Sequence, residues 1–113
     1  MEMAMLEALF GSGNREKVLF FLLIRDEGYP REIAKFFNTD LRSIQNQFEK
    51  LEAGGVVYSR LVGNTRLYAF NPRYPFLNEL HALLEKALSF YPEEDKERLM
   101  MGRRRPRRAG KPL

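Results

Sequence analysis

Residues 30–55 read Pro30-Arg31-Glu32-Ile33-Ala34-Lys35-Phe36-Phe37-Asn38-Thr39-Asp40-Leu41-Arg42-Ser43-Ile44-Gln45-Asn46-Gln47-Phe48-Glu49-Lys50-Leu51-Glu52-Ala53-Gly54-Gly55, and this stretch decides the fold. Pro30 suits the first position of a helix, where the amide hydrogen it lacks has no intrahelical partner. The helix it opens, 30–37, turns Ile33, Ala34 and Phe37 inward. Asn38-Thr39-Asp40 leaves three residues before the next helix, so the two must cross steeply. Asp40 is the N-cap of that next helix, its carboxylate accepting from free amides of the first turn. There Leu41, Ile44, Phe48 and Leu51 recur at spacings of three, four and three, which is one apolar stripe at helical period. Gly54-Gly55 closes the helix, because glycine enters a left-handed C-terminal cap without strain.

Working outward, Asn14 reads as the N-cap of a helix over 15–25. Val18, Leu19, Phe20, Phe21, Leu22, Leu23 and Ile24 make that helix apolar nearly all round, which predicts a central, buried element. A short helix over 2–10 precedes it and ends at Gly11-Ser12-Gly13. On the other side, 56–62 and 65–70 favour strands, and Gly63-Asn64 between them is a turn dipeptide, so the pair reads as a β-hairpin. A helix over 75–91 follows, with Phe76, Leu77, Leu80, Leu83, Leu84, Ala87 and Leu88 forming a stripe too wide for one contact. The expected fold is mainly α with a small antiparallel β-hairpin, a helix-turn-helix carrying a wing. Residues 1–91 hold this domain, 92–101 read as a short charged helix or linker, and 102–113 as a basic disordered tail.

Three pieces of this chain resemble the winged helix-turn-helix regulators of the ArsR and MarR types. They are Arg31 through Ile44, the run Phe48-Glu49-Lys50-Leu51-Glu52-Ala53-Gly54-Gly55-Val56-Val57, and Gly63-Asn64-Thr65-Arg66-Leu67-Tyr68. The resemblance covers about residues 14–73 and rests on several degenerate signals in the right order. It implies a DNA-binding repressor that acts by occluding a promoter. It also implies a homodimer built from the terminal helices, which places Leu6, Phe10, Leu77, Leu80, Leu84 and Leu88 in the dimer contact. Gly55 departs from the pattern, standing where these regulators usually have leucine, and no cysteine is present for the thiolate sites of the metal-sensing branch.

The physical case for double-stranded DNA stands beside the name. With Leu41, Ile44, Phe48 and Leu51 inward, the helix presents Arg42, Ser43, Gln45, Asn46, Glu49 and Lys50 outward. Arginine pairs with guanine in the major groove, asparagine or glutamine with adenine, and serine with either. Base edges are normally met by the N-terminal half of a recognition helix, so Arg42, Ser43, Gln45 and Asn46 are the expected readers. Lys50, two turns on, is expected on phosphate, as are Arg31 and Lys35 on the preceding helix, which also read as ordinary surface charges beside Glu32. In the wing, Asn64, Thr65 and Arg66 cluster at the hairpin tip; turn chemistry accounts for the dipeptide, and Arg66 is the expected minor-groove or backbone contact.

The net charge of +4 over 113 residues does not itself argue for nucleic acid. Arg103, Arg104, Arg105, Arg107, Arg108 and Lys111 hold six of the 19 basic residues, leaving residues 1–102 with 13 against 15 acidic ones, a net of −2. That balance keeps a protein-interaction module in view as the rival function, and the arginine run keeps non-specific nucleic-acid binding in view. The block 31–73 is net +3, seven basic residues against four acidic.

No cysteine and one histidine, His81, exclude disulfides, thiolate metal sites and a two-histidine site within one chain. No metal or other cofactor is expected. The longest apolar run, 18–24, falls far short of the roughly 20 residues a bilayer span needs. Met1-Glu2-Met3-Ala4-Met5 lacks the basic lead of a secretory signal, so the expected location is the cytoplasm, with no membrane partner. No nucleophile-and-base set, paired carboxylates or glycine-rich phosphate loop is present, so no catalysis is expected. Phe20, Phe21, Phe36, Phe37, Phe48, Tyr68 and Phe70 read as core packing; a small-molecule effector is compatible with them but not indicated.

Overall fold

The helix apolar on every side is the centre of the molecule. In a computed structural model that describes residues 3–101, helix α2 (Gly13–Arg25) has Val18 through Arg25 buried without a break. Its cap is Ser12, whose Oγ accepts from the Arg15 amide at 3.2 Å, and not Asn14, because the helix starts two residues earlier than the expected residue 15. Ahead of it, α1 (Glu7–Phe10) is a single turn, shorter than the expected 2–10, and Gly11 ends it in the left-handed conformation at φ 79°.

Helices α3 (Pro30–Phe37) and α4 (Leu41–Ala53) form the helix-turn-helix as the sequence predicts. The link turns on Asn38 at φ 54°, a left-handed value that a short polar side chain tolerates. The following amide, Thr39, donates back to the Ala34 carbonyl at 2.9 Å. Asp40 caps α4 through Oδ2, which accepts from the Ser43 amide at 3.0 Å. At the far end Gly55 sits at φ 80°, and the Val56 amide closes on the Leu51 carbonyl at 2.9 Å. Leucine at this position would incur the strain of that left-handed backbone, which accounts for the glycine.

Strands β2 (Val57–Val62) and β3 (Thr65–Phe70) form the hairpin, in a register running from Val57 opposite Phe70 to Val62 opposite Thr65. The sheet has a third, unforeseen strand, β1 (Glu27–Gly28), which pairs antiparallel with β3 in the order β1-β3-β2. Gly28 belongs there because a Cβ would lie 2.8 Å from the Phe21 ring. Two residues of strand therefore fasten the hairpin to the corner between α2 and α3.

Helix α5 (Leu77–Leu88) is shorter than the expected 75–91, its last turn giving way at Ser89 to the buried Tyr91. Leu84 and Ala87 face the core, while Leu77, Leu80 and Leu88 are half-buried. Residues 93–100 form α6 (Glu93–Met100), which docks on α2 with Leu99 buried and so does not serve as a linker. The basic segment 102–113 lies outside the described residues. No helix among the described residues is long and apolar enough to cross a membrane.

Candidate nucleic-acid interface

The inward face of α4 is the apolar stripe of the sequence with one polar addition. Ile44, Phe48 and Leu51 are buried, Leu41 is half-buried, and Gln47 is buried with them. Gln47 Oε1 accepts from Arg15 Nε at 2.8 Å, and Arg15 Nη1 donates to the Phe10 carbonyl at 2.8 Å. One arginine on α2 thus ties α4 to the end of α1. A buried amide is tolerable only when bonded, and here it fixes the rotation of α4 about its axis.

That rotation turns Arg42, Gln45, Asn46, Glu49 and Lys50 outward and exposed. Ser43 differs from the other expected readers. It is half-buried, and its Oγ donates to Asp40 Oδ2 at 3.2 Å, so its hydroxyl proton serves the helix cap and only acceptor capacity is left. Arg31 and Lys35 are exposed on α3. Among the described residues, Arg31, Lys35, Arg42 and Lys50 make no ion pair.

The wing approaches α4 from one side. A concavity of about 430 Å³ is lined by Arg31, Gln45, Glu49, Asn64, Thr65, Arg66 and Tyr68, which brings expected contacts from both helices and the wing onto one surface. Arg66 is held back along the sheet: its Nη1 donates to Ser59 Oγ at 3.2 Å, and that hydroxyl donates to Glu52 Oε2 at 2.9 Å. The other wing arginine, Arg60, pairs with Glu27 at 3.3 Å and braces β2 against β1. Under the concavity Tyr68 stacks on Phe48, with ring centroids 4.0 Å apart and planes 15° from parallel. Burial pushes the Tyr68 phenol above its ordinary value, with the carboxylate of Glu52 adding to the effect, so at neutral pH it is a hydrogen-bond donor.

A second concavity of about 600 Å³ adjoins the first and shares Arg31 and Thr65 with it; Arg25, Tyr29, Glu32, Lys35 and Phe36 complete its lining. Its aromatic wall was not legible as a surface feature, since Phe36 reads as a core residue in the sequence and Tyr29 falls in the break before α3. Gln47, by contrast, had a signal. It lies three residues after Ile44 and four before Leu51, on the same helical face as the apolar stripe.

Two of the six residues expected at a dimer contact are corrected by the packing. Leu6 and Leu84 are buried in the chain's own core, where no partner can reach them. Phe10, Leu77, Leu80 and Leu88 are half-buried. Leu9, Phe76 and Phe90 near them in sequence are strongly exposed, and Leu83 is about a third exposed. His81 packs its ring against Phe70 at 4.6 Å. No group of three or more potential metal ligands occurs among the described residues.

No family model matches the sequence, and no curated protein does. Solved structures do share the fold. The chain superposes on a double mutant of ZitR from Lactococcus lactis in apo form with a TM-score of 0.54 at 19% identity, covering 82% of this chain and 78% of that one. A single mutant of ZitR gives a TM-score of 0.50 at 18% identity, over 74% of this chain and 64% of that one. The architecture is a winged helix, and likeness at this identity extends to the fold, without singling out the ArsR branch.

Proposed function

We propose that this protein is a DNA-binding transcriptional regulator of ArsR or MarR type, which reads duplex DNA through α4 as a homodimer in the cytoplasm and represses by occluding a promoter. One observation carries the reading: the buried stripe and the Arg15–Gln47 bond fix α4 so that Arg42, Gln45 and Asn46 face outward beside the exposed cations Arg31, Lys35 and Lys50. Arg42, Gln45 and Asn46 are the base readers, with Ser43 as an acceptor only. Arg31, Lys35 and Lys50 hold phosphates and set register. Asn64, Thr65 and Arg66 contact the backbone or minor groove beside the reading helix.

The homodimer rests on the apolar surface around α5, with Leu77, Leu80 and Leu88 joined by Phe76 and Leu83, and with Phe10 and Leu9 from α1. A twofold axis there gives a palindromic site whose half-sites lie roughly 34–36 Å apart. Binding involves no chemical step and no cofactor.

The test is a mobility-shift titration on genomic fragments, followed by selection of bound sequences from a random duplex pool. Selective retardation that Arg42→Ala with Asn46→Ala abolishes supports the reading. Equal retardation of the same fragments by the double variant moves the site off α4. No retardation of any duplex leaves the face to a protein partner.

A further inference from the structure

Glu49 interrupts the cationic and amide character of the outward face of α4. The buried residues Ile44, Gln47, Phe48 and Leu51 fix which side of that helix is inward. At about 100° per residue, Arg42 and Glu49 stand within about 20° of each other on the opposite side, with Gln45 and Asn46 flanking them. Ser43 and Lys50 lie further round, at one margin. Whatever surface α4 meets squarely, Glu49 meets it too.

The other acidic residue of α4, Glu52, is turned to the wing, where it accepts from Ser59 Oγ at 2.9 Å, and that hydroxyl accepts from Arg66 at 3.2 Å. Glu49 has no comparable tie. It is exposed, and among the described residues its carboxylate makes no ion pair and no side-chain hydrogen bond. It is also the one carboxylate among the described residues that line the concavity between α4 and the wing, where neither Arg31 nor Arg66 pairs with it.

A carboxylate in that position is repelled by phosphate, which carries charge of the same sign. When ionised it can only accept hydrogen bonds. In the major groove guanine offers the acceptors N7 and O6, and thymine the acceptor O4, so both set a lone pair against it. Adenine offers a donor beside an acceptor. Cytosine presents the N4 amino donor with no acceptor of its own on that edge. Arg42 and Glu49 are seven residues apart, a rise of roughly 10 Å along the helix and so about three base pairs of duplex.

We propose that Glu49 is a specificity-determining residue, accepting from the N4 amino group of a cytosine about three base pairs from the base that Arg42 reads, and rejecting guanine at that pair. The proposal rests on the DNA-reading function above and deepens it by naming a base. Glu49 acts partly by penalty: it weakens binding to every duplex and recovers the loss only where the amino group is present.

The experiment compares the full chain with Glu49→Gln and Glu49→Ala, each checked by circular dichroism and urea midpoint for an intact fold. Bound sequences are selected from a random duplex pool for each protein. All three are then titrated on the parent's operator and on its three single-pair substitutions at the cytosine. The parent requires cytosine there, and guanine in its place weakens binding by roughly 10- to 100-fold. Glu49→Gln moves the preference to adenine at that pair alone. Glu49→Ala binds the four duplexes about equally, and binds the non-cognate ones more tightly than the parent does. An unchanged motif in both variants overturns the proposal, even if both bind every duplex more tightly, for Glu49 is then a general electrostatic brake. A parent motif without cytosine at the pair the variants alter overturns it as well. The failure of α4 as a reader is separately visible. In that case Arg42→Ala with Asn46→Ala leaves sequence discrimination unchanged, and a parent that selects no motif overturns both readings together.

Discussion

The Tyr91 hydroxyl donates to Glu16 Oε2 in a 2.5 Å hydrogen bond that joins residues 75 positions apart in sequence. The other carboxylate oxygen accepts from the Leu6 amide at 2.9 Å, and the phenol oxygen accepts in turn from the Met5 amide at 2.8 Å. Glu16 is fully buried on α2, so its two donors are what make the carboxylate tolerable there. One acidic side chain thereby gathers the start of the chain, the central helix and the α5–α6 junction.

Tyr91→Phe is expected to lower unfolding free energy by about 1–3 kcal/mol, because it removes one partner of a buried charged acceptor. Urea denaturation of parent and variant checks this, and an unchanged midpoint would show the bond to be incidental.

The same pair sets an alkaline limit. Burial, together with the hydrogen bond to Glu16, pushes the Tyr91 phenol well above its ordinary value near 10. A group whose folded value is raised contributes stability fully below its unfolded value and loses it as pH rises through the window above. Stability is therefore expected to fall from about pH 10 upward, with a limiting slope of about 1.4 kcal/mol per pH unit from this group. In Tyr91→Phe the slope is shallower, and a urea series at pH 8, 10 and 11 reads the difference.

Gly28→Ala is expected to destabilise by about 1–3 kcal/mol, since the new methyl group would meet the Phe21 ring at 2.8 Å inside the core. Thermal unfolding measures the cost. A neutral result would mean that β1 yields freely, against its role in fastening the wing.

Burial separates two neighbouring leucines of α5. Leu83→Asp is expected to convert the proposed dimer to a folded monomer, while Leu84→Asp, at a fully buried position, unfolds the chain. Sedimentation together with circular dichroism distinguishes these outcomes, and a Leu83 variant that remains dimeric would remove α5 from the interface.

On the proposed nucleic-acid face, Arg42→Ala and Asn46→Ala are each expected to weaken operator binding by about 1–3 kcal/mol while leaving the urea midpoint in place. Lys35→Ser is expected to weaken all duplexes alike and to reduce the salt slope by about 0.9. Filter binding across a salt series reads both.

The helix-turn-helix was legible because its determinants are local. Asp40 capping α4, the stripe Ile44-Phe48-Leu51 and the left-handed Gly55 all act within one turn of themselves. What escaped depends on partners distant in sequence. β1 exists only because β3 returns beside Glu27 and Gly28, and no two-residue strand carries a periodicity of its own. Leu84 and Leu83 look alike in an apolar stripe, and only the position of α2 decides which is core. Ser43 read as a free hydroxyl because its bond to Asp40 competes silently with the role its helical position suggests.

The short strand at Glu27 and Gly28, with the Arg60–Glu27 pair across the sheet, ties the hairpin to the body of the domain. A duplex held as proposed would thus meet a gauge of fixed opening, set by the distance between Gln45 on one jaw and Asn64 on the other. Sequences whose groove is naturally of that width would fit without distortion, and stiffer or wider ones would have to deform to be held. Selectivity would then extend to base pairs that no side chain touches.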